Sequence, residues 1–256
     1  TTINCISGLV TATEGSISIN GFNVSSQATK AKQSLGLVPQ ELALYEDLSA
    51  HENLVFWGSS YGLSGDKLEQ RIQQVLIDVG LDARQKEPVK QFSGGMKQRA
   101  MVAIATACNP KFLILDEPTT GLDVIVQRQL LLMINDLKEK LNLTAIFISH
   151  DLAVIAETCD KLAVMYAGKI VEMSDVVTMY KDPLHPYSKA LIGAYPNLKG
   201  AKRKLFSIPG APPSLINPPE CCRFAPRCEH AMDICIREEP LMVEKEGRKV
   251  ACHLFK

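Results

Sequence analysis

The sequence lacks an excess of charge of either sign, because 28 Lys and Arg residues balance 28 Asp and Glu residues among 256. A neutral chain is not expected to hold nucleic acid by bulk charge alone. Long apolar runs are also absent. Residues 15–29 carry no charge but are rich in Ser, Asn and Gly, unlike the roughly 20 apolar residues of a membrane-spanning helix. Residues 1–9 have no basic start, so we expect no secretory signal peptide.

The composition is otherwise that of an ordinary globular protein, with 46% apolar and 22% charged residues, which argues against disorder. The length suggests one large domain, or one domain with a smaller appendage. Cysteine is the unusual residue. There are eight, and five of them lie in the last 36 residues. Without an export signal, such a cluster favours a metal or iron–sulfur site over a set of disulfides.

Hydrophobic periodicity predicts alternating helices and strands. Helices are predicted where apolar residues recur every three or four positions, and a capping-box pair at Ser49 and Glu52 marks the start of the first. They cover residues 50–61, 68–79, 94–108, 124–141 and 151–159. A turn signal at Asn20-Gly21 and several short apolar runs predict strands. The clearest strands cover residues 34–39, 112–115, 144–149, 161–166 and 169–172.

Polar residues follow three of these strands at the point where each ends. Strands that alternate with helices of this length predict an α/β fold with a parallel sheet. Gln40 follows the first strand, Asp116 and Glu117 follow the second, and His150 follows the third. Ligands of such sheets bind beyond the carboxyl ends of the strands, so this edge is the expected site.

Each of these residues has both a functional and a purely structural interpretation. Asp116 could reach a Mg²⁺ ion, and Glu117 could orient or deprotonate a water; the pair could equally be an acidic helix cap. Gln40 and His150, taken alone, favour a structural role over binding of a metal or phosphate. Residues 93–95 (Ser-Gly-Gly) open a helix whose bare N–H groups could bind an anion, although this is also a common loop-to-helix joint.

The order and spacing of four segments narrow these alternatives. The segments are LGLVPQE around Gln40, FSGGMKQR over residues 92–99, LILDEPTTGLD over residues 113–123, and ISHD over residues 148–151. Together they resemble the nucleotide-binding subunit of ATP-binding cassette (ABC) transporters. The resemblance implies a P-loop NTPase-like cassette, here incomplete, with a parallel sheet, a helical subdomain at about residues 41–91 and a C-terminal extension that contains cysteines.

The resemblance also implies a role for each candidate residue. Glu117 polarises the attacking water and His150 is the switch histidine, so both are catalytic. Asp116 and Gln40 bind Mg²⁺. The implied contacts to ATP, some made across a dimer of two subunits, are those of Gln40, Ser93, Gly94, Gly95, Gln98 and Asp123.

One motif of this family is missing. No G-x-x-x-x-G-K-[ST] loop, which cradles the phosphates, occurs in the sequence. We therefore expect a chain that is truncated at its N-terminal end and that binds ATP poorly by itself. It could still lend residues 93–95 to the site of a partner.

The two parts of the chain resemble different branches of the family. Residues 1–96 look like exporter-type ATPases, whereas residues 97–256 look like oligopeptide, dipeptide and nickel importer ATPases. We expect an ATPase domain over residues 1–180 and the importer-type extension over residues 181–256. The implied function is ATP hydrolysis that energises peptide import. The alternatives are an exporter ATPase and a truncated remnant that does not hydrolyse ATP.

The implied partners are a second ABC ATPase subunit, transmembrane permease subunits and an extracytoplasmic substrate-binding protein, with no nucleic acid. The implied location is the cytoplasmic face of the cell membrane, as a peripheral subunit.

The cysteines of the tail lack the close C-x₂-C pairs of zinc fingers. Four thiolates without a histidine in register suit an iron–sulfur cluster, while a metal-free or zinc-bound knuckle is the alternative. The importer resemblance implies a [4Fe-4S] cluster and leaves Cys221 as a spare residue. The four implied ligands are Cys222, Cys228, Cys235 and Cys252.

Overall fold

A computed structural model describes residues 2–194 and 208–256. The chain divides into two compact units, Thr1–His150 and Asp151–Lys256, and each is described by itself. In the described residues, no helix combines the length and the apolar character that a membrane crossing requires.

The first unit is built on a three-stranded parallel sheet. Its strands are β3 (Leu35–Val38), β4 (Phe112–Asp116) and β5 (Thr144–Ile148), and β4 lies between the other two. This confirms the predicted strands and their parallel arrangement. The middle residues of β4 are fully buried, as expected of a strand covered on both faces.

A small hairpin precedes this sheet. The helix α1 (Thr2–Ile6) leads to β1 (Ser18–Ile19) and β2 (Phe22–Asn23), which pair in the antiparallel direction. The predicted turn at Asn20-Gly21 lies between them, with both residues at positive φ. A short helix, α2 (Ala28–Gln33), follows and was not predicted, because it has no side-chain cap and only one buried residue.

Four longer helices belong to the same unit. They are α3 (Ala50–Ser60), α4 (Gly65–Asp78), α5 (Gly94–Thr106) and α6 (Val124–Leu141). All four were predicted, and their bounds differ from the prediction by at most three residues. The predicted capping box is present, since Ser49 accepts the N–H of Glu52 and the Glu52 carboxylate accepts the N–H of Ser49.

Contact between β3 and α5 depends on Gly36. A Cβ atom at this position would lie 2.2 Å from the backbone oxygen of Ala105 in α5. The glycine therefore lets the helix that begins at Ser93 pack directly onto the sheet.

The second unit contains a four-stranded antiparallel sheet in the order β6-β7-β9-β8. Its strands are β6 (Lys161–Tyr166), β7 (Lys169–Asp175), β8 (Val243–Lys245) and β9 (Arg248–Val250), and its helices are α7 (Leu152–Thr158), α8 (Val176–Lys181) and α9 (Pro186–Gly193). The hairpin of β6 and β7 was predicted. The pairing of β9 from the tail with β7 was not, because strands of three residues leave almost no periodic signal. Residues 208–220 form neither helix nor strand.

A buried carboxylate fixes the start of α9. Glu172 of β7 is fully buried and accepts the N–H groups of Leu184 at 2.7 Å and of His185 at 2.8 Å. The buried imidazole of His185 accepts the N–H of Tyr187 and caps the helix. Burial lowers the pKa of His185 to about 4, so the ring is neutral at physiological pH and can accept this bond.

Replacement of Gly36 by alanine is expected to destabilise the first unit by about 1–3 kcal/mol, because a backbone oxygen cannot rotate away from the new methyl group. Urea unfolding followed by circular dichroism measures the loss. Gly193→Ala is the matched control, since nothing lies within 4 Å of a Cβ there. Equal unfolding midpoints for the two variants would contradict the prediction.

Glu172→Gln is expected to lower the free energy of unfolding of the second unit by about 1–3 kcal/mol, because the amide keeps one acceptor and turns an N–H₂ group towards a backbone donor. Glu239→Gln removes a surface ion pair with Lys169 and should change stability by less than about 1 kcal/mol. Thermal unfolding measures the stability of both variants. A smaller loss of stability for Glu172→Gln than for Glu239→Gln would refute the role of Glu172 in fixing the start of α9.

Candidate functional site

The carboxyl ends of the three parallel strands gather the residues that the sequence analysis singled out. Asp116 ends β4 and lies opposite Ile148 of β5, so Glu117 and His150 leave the sheet next to each other. Gln40 follows β3, the strand on the other side of β4, and its side chain is exposed. The predicted strand-end residues therefore lie along one edge of the sheet.

The Glu117 carboxylate is held by two neighbours. His150 Nδ1 lies 3.0 Å from both carboxylate oxygens, and the backbone N–H of His150 donates to Oε1 at 3.1 Å. The hydroxyl of Thr120 donates to Oε2 at 3.1 Å. The Glu117 side chain is 16% exposed, while that of His150 is 78% exposed, so the carboxylate sits inside the site and the imidazole borders the solvent.

The backbone of Glu117 is in an uncommon conformation. Its φ is +51°, a left-handed value that a residue with a Cβ rarely adopts. Its N–H donates to the oxygen of Ile148 at 3.0 Å, which extends the β4–β5 pairing by one residue. Strain of this kind persists where surrounding contacts enforce it and is frequent at functional sites.

Thr120 is a site residue that the sequence analysis missed. Its hydroxyl fixes one oxygen of Glu117 and its N–H donates to the Glu117 backbone oxygen at 3.2 Å. No signal in the sequence marked this contact, because it depends on the left-handed conformation of Glu117, which the structure alone shows.

A second group of predicted residues lies where α5 and α6 begin. Ser93 caps α5 by accepting the N–H of Met96 at 3.3 Å. Ser93 and Gly94 are exposed, whereas Gly95 is buried. A Cβ at Gly95 would lie 2.4 Å from Val126 in the first turn of α6, so this glycine allows the two helix N-termini to meet.

Asp123 and Gln98 complete this group. The Asp123 carboxylate caps α6 by accepting the N–H groups of Ile125 and Val126, both at 3.0 Å. Gln98 is 7% exposed, and its Oε1 atom is buried without a hydrogen-bond partner within the part of the chain that the structure describes. Asp123 therefore caps the helix that meets α5 at this junction, and Gln98 lies three residues after Gly95 in α5.

The four predicted cluster cysteines lie in one region of the second unit. The N–H of Cys222 donates to the oxygen of Cys235 at 3.0 Å, which joins two of them through the backbone. Cys235 is buried, and Cys222, Cys228 and Cys252 are half-buried.

Burial raises the pKa of the Cys222, Cys228 and Cys252 thiols, and neighbouring members of the set raise it further. Backbone N–H groups oppose that shift. They come from Phe224 and Ala225 towards Cys222, from His230 towards Cys228, and from Leu254 towards Cys252. Cys221 is not among the cysteines that shift these pKa values.

The four sulfurs interact at a distance without forming a compact metal site. Within residues 2–194 and 208–256, no group of three or more His, Cys, Asp or Glu side chains is close enough to hold a metal ion. The arrangement therefore gathers the predicted cysteines but does not by itself assign a metal to them.

Comparison with known families gives two matches. Residues 1–120 match the family described as ABC transporter. Residues 171–235 match the family described as the C-terminal region of oligopeptide/dipeptide transporters.

Individual relatives agree with these matches. The dipeptide transport ATP-binding protein DppD of Caldanaerobacter subterraneus subsp. tengcongensis is 41% identical over 227 residues, which cover 88% of this chain and 68% of that protein. The oligopeptide transport ATP-binding protein OppD of Salmonella typhimurium is 47% identical over 169 residues, which cover 66% of this chain and 50% of that protein. The chain thus spans about two thirds of the first relative and half of the second.

The DppD alignment is longer than residues 97–256, so the match to a dipeptide relative extends into the segment that resembles exporter ATPases. The exporter likeness of residues 1–96 stays a prediction.

A solved structure supports the fold. The ATP-binding subunit of an ABC transporter superposes with a TM-score of 0.61 at 30% identity, over 70% of this chain and 75% of that one. The strand-end residues, the two matched families and the extent of identity to DppD lead to one conclusion: the chain belongs to the family of ABC transporter ATP-binding subunits.

Proposed function

We propose that this chain is the ATP-hydrolysing subunit of a transporter that imports peptides. The observation that carries the proposal is the Glu117 carboxylate, fixed by His150 and Thr120 at the carboxyl edge of a parallel sheet. A carboxylate held in this way can orient a water and accept its proton while the phosphoryl group is transferred.

Asp116 and Gln40 are the residues that would hold Mg²⁺. Both offer oxygen atoms, the ligands that this ion prefers, and both lie at the carboxyl ends of neighbouring strands of the sheet. When bound, the ion would neutralise charge on the phosphates. His150 positions Glu117, whose negative charge favours a hydrogen bond from the ring.

The N-termini of α5 and α6 supply the other half of the proposed ATP site. Ser93 and Gly94 are exposed at the start of a helix of 13 residues, where N–H groups attract phosphate. We propose that they serve the ATP of a second subunit. The P-loop would come from polypeptide beyond these 256 residues, and a subunit that includes it is called here the P-loop-containing form.

Peptides are the proposed cargo class because DppD and OppD are named as dipeptide and oligopeptide transport proteins and because residues 171–235 match the C-terminal region of such transporters. The proposed partners are transmembrane permease subunits and an extracytoplasmic binding protein. The proposed location is the cytoplasmic face of the membrane. We further propose that residues 1–180 form the ATPase domain and residues 181–256 its extension.

Glu117→Gln in the P-loop-containing form is expected to reduce ATP turnover by about 10²–10⁴-fold, because the amide cannot accept the proton of the water. ATP should still bind, so filter-retained nucleotide should persist while phosphate release falls. Both quantities are measured on the subunit assembled with its permease.

Glu139→Gln is the matched control for this experiment, since Glu139 is exposed in the last turn of α6. Turnover that survives Glu117→Gln would remove Glu117 from the proposed mechanism.

We propose that the second unit holds a [4Fe-4S] cluster on Cys222, Cys228, Cys235 and Cys252. The donor set supports this, because thiolates of four cysteines are common ligands of iron–sulfur clusters. The backbone N–H groups directed at three of the sulfurs would stabilise them as thiolates and tune the cluster. A bound cluster would supply electron transfer or a structural cross-link.

Iron and acid-labile sulfide are expected in equal amounts in protein purified without oxygen. Cys228→Ser should lose most of both, because it removes one of the four ligands. Cys221→Ser is the control and should retain them. Zinc without sulfide would indicate a zinc knuckle instead, and equal iron in all three proteins would reject the cluster.

A further inference from the structure

The helix α4 is joined to the far end of α5 by an arginine. The Arg71 guanidinium donates to the backbone oxygens of Thr106 at 2.7 Å and of Ala107 at 2.8 Å. These carbonyls end α5 and have no partner within the helix. Burial lowers the pKa of Arg71, and the nearby Asp78 carboxylate opposes that shift.

The reverse contact joins the same two helices. Arg99 of α5 donates to the oxygen of Val79 at 3.0 Å, just after the last residue of α4. Gly80 follows at φ +67°, and a Cβ there would lie 3.3 Å from the Arg99 guanidinium. Each helix therefore carries an arginine that caps the other.

The far end of α6 is joined to α4 as well. Lys140, in the last turn of α6, pairs with Asp78 Oδ1, and Gln74 donates to the same oxygen at 2.8 Å. The Asp78 side chain is only 3% exposed, and its Oδ2 is buried without a hydrogen-bond partner in the described residues. The Lys140 ammonium and the Gln74 amide therefore offset part of the cost of burying this carboxylate.

These contacts lie on one face of α4, because Arg71 and Asp78 are seven residues apart, close to two helical turns. The helices that they hold begin at Ser93 and Asp123, the capping residues of the proposed ATP-facing junction. At that junction Gly95 and Val126 meet. One face of α4 therefore contacts the C-terminal ends of α5 and α6, and the N-terminal ends of the same two helices form the junction.

We propose that Arg71 and Asp78 are positioning residues that set the orientation of α5 and α6, and through them the placement of Ser93 and Asp123 at the ATP of a partner subunit. The inference rests on the proposed function. A helix moves as a nearly rigid rod, so a shift at its gripped end is transmitted to its other end. Burial of an arginine and an aspartate is costly unless both are paired in a defined geometry, which is expected of contacts that fix orientation.

The test uses the P-loop-containing form with Glu117→Gln, so that bound ATP is not consumed. ATP-dependent association of two subunits is measured by analytical ultracentrifugation, and ATP binding to the single subunit is measured by titration. Arg71→Met and Asp78→Asn are each expected to weaken association about tenfold or more and to leave ATP binding to the single subunit unchanged. If Arg71 and Asp78 only stabilised the fold, association and ATP binding to the single subunit would fall together.

Arg71→Lys keeps the charge and one hydrogen bond, and it should restore part of the association while remaining folded. Asp66→Asn removes a charge from an exposed position in the first turn of the same helix, on a different face from Arg71 and Asp78, and should have no effect. Combination of Asp78→Asn with Lys140→Met should weaken association no further than either change alone, because both break the same pair.

The outcomes are distinguishable. If the parent with Glu117→Gln does not associate with ATP, the proposed function fails. If the parent associates and folded Arg71→Lys, Arg71→Met and Asp78→Asn associate equally well, the proposed function stands and the positioning role is refuted.

Discussion

Parallel hydrogen bonding between β3, β4 and β5 decides where the chemistry of the first unit can occur. Asp116 lies opposite Ile148 in this register, so Glu117 and His150 emerge side by side. The sheet is covered by apolar packing, and Gly36 lets α5 approach it at backbone distance. Charged groups can then gather only at the strand ends, where the left-handed turn at Glu117 keeps its carboxylate within reach of the imidazole.

The junction of α5 and α6, like the contact of α5 with the sheet, depends on a glycine that leaves room for a close approach. Gly95 has no side chain, and its absence brings the helix starts together against Val126. The C-terminal ends of α5 and α6 contact charged side chains of α4, namely Arg71 and Asp78. The two helices thus meet by close packing at one end, and at the other Arg71 hydrogen-bonds the end of α5 while Lys140 of α6 pairs with Asp78.

The second unit places thiols where two electrostatic effects oppose each other. Burial disfavours the thiolate, whereas N–H groups directed at Cys222, Cys228 and Cys252 favour it. Phe224 lies between Cys222 and Cys228 in the sequence. Its ring centroid is 5.1 Å from that of Tyr166, so this segment packs against β6. The cysteine region is therefore part of the packed unit and not a loose tail.

Local signals in the sequence determined most helices and strands of the fold, because capping and periodicity depend on residues a few positions apart. The Ser49–Glu52 capping box is such a case, and the order of the motifs identified the family. Only the tertiary structure decided that Thr120 holds Glu117, that β9 joins β7, and that Arg71 grips α5. The last two depend on residues far apart in the sequence, and the first depends on a left-handed turn enforced by the neighbouring strand. No local pattern encodes such contacts.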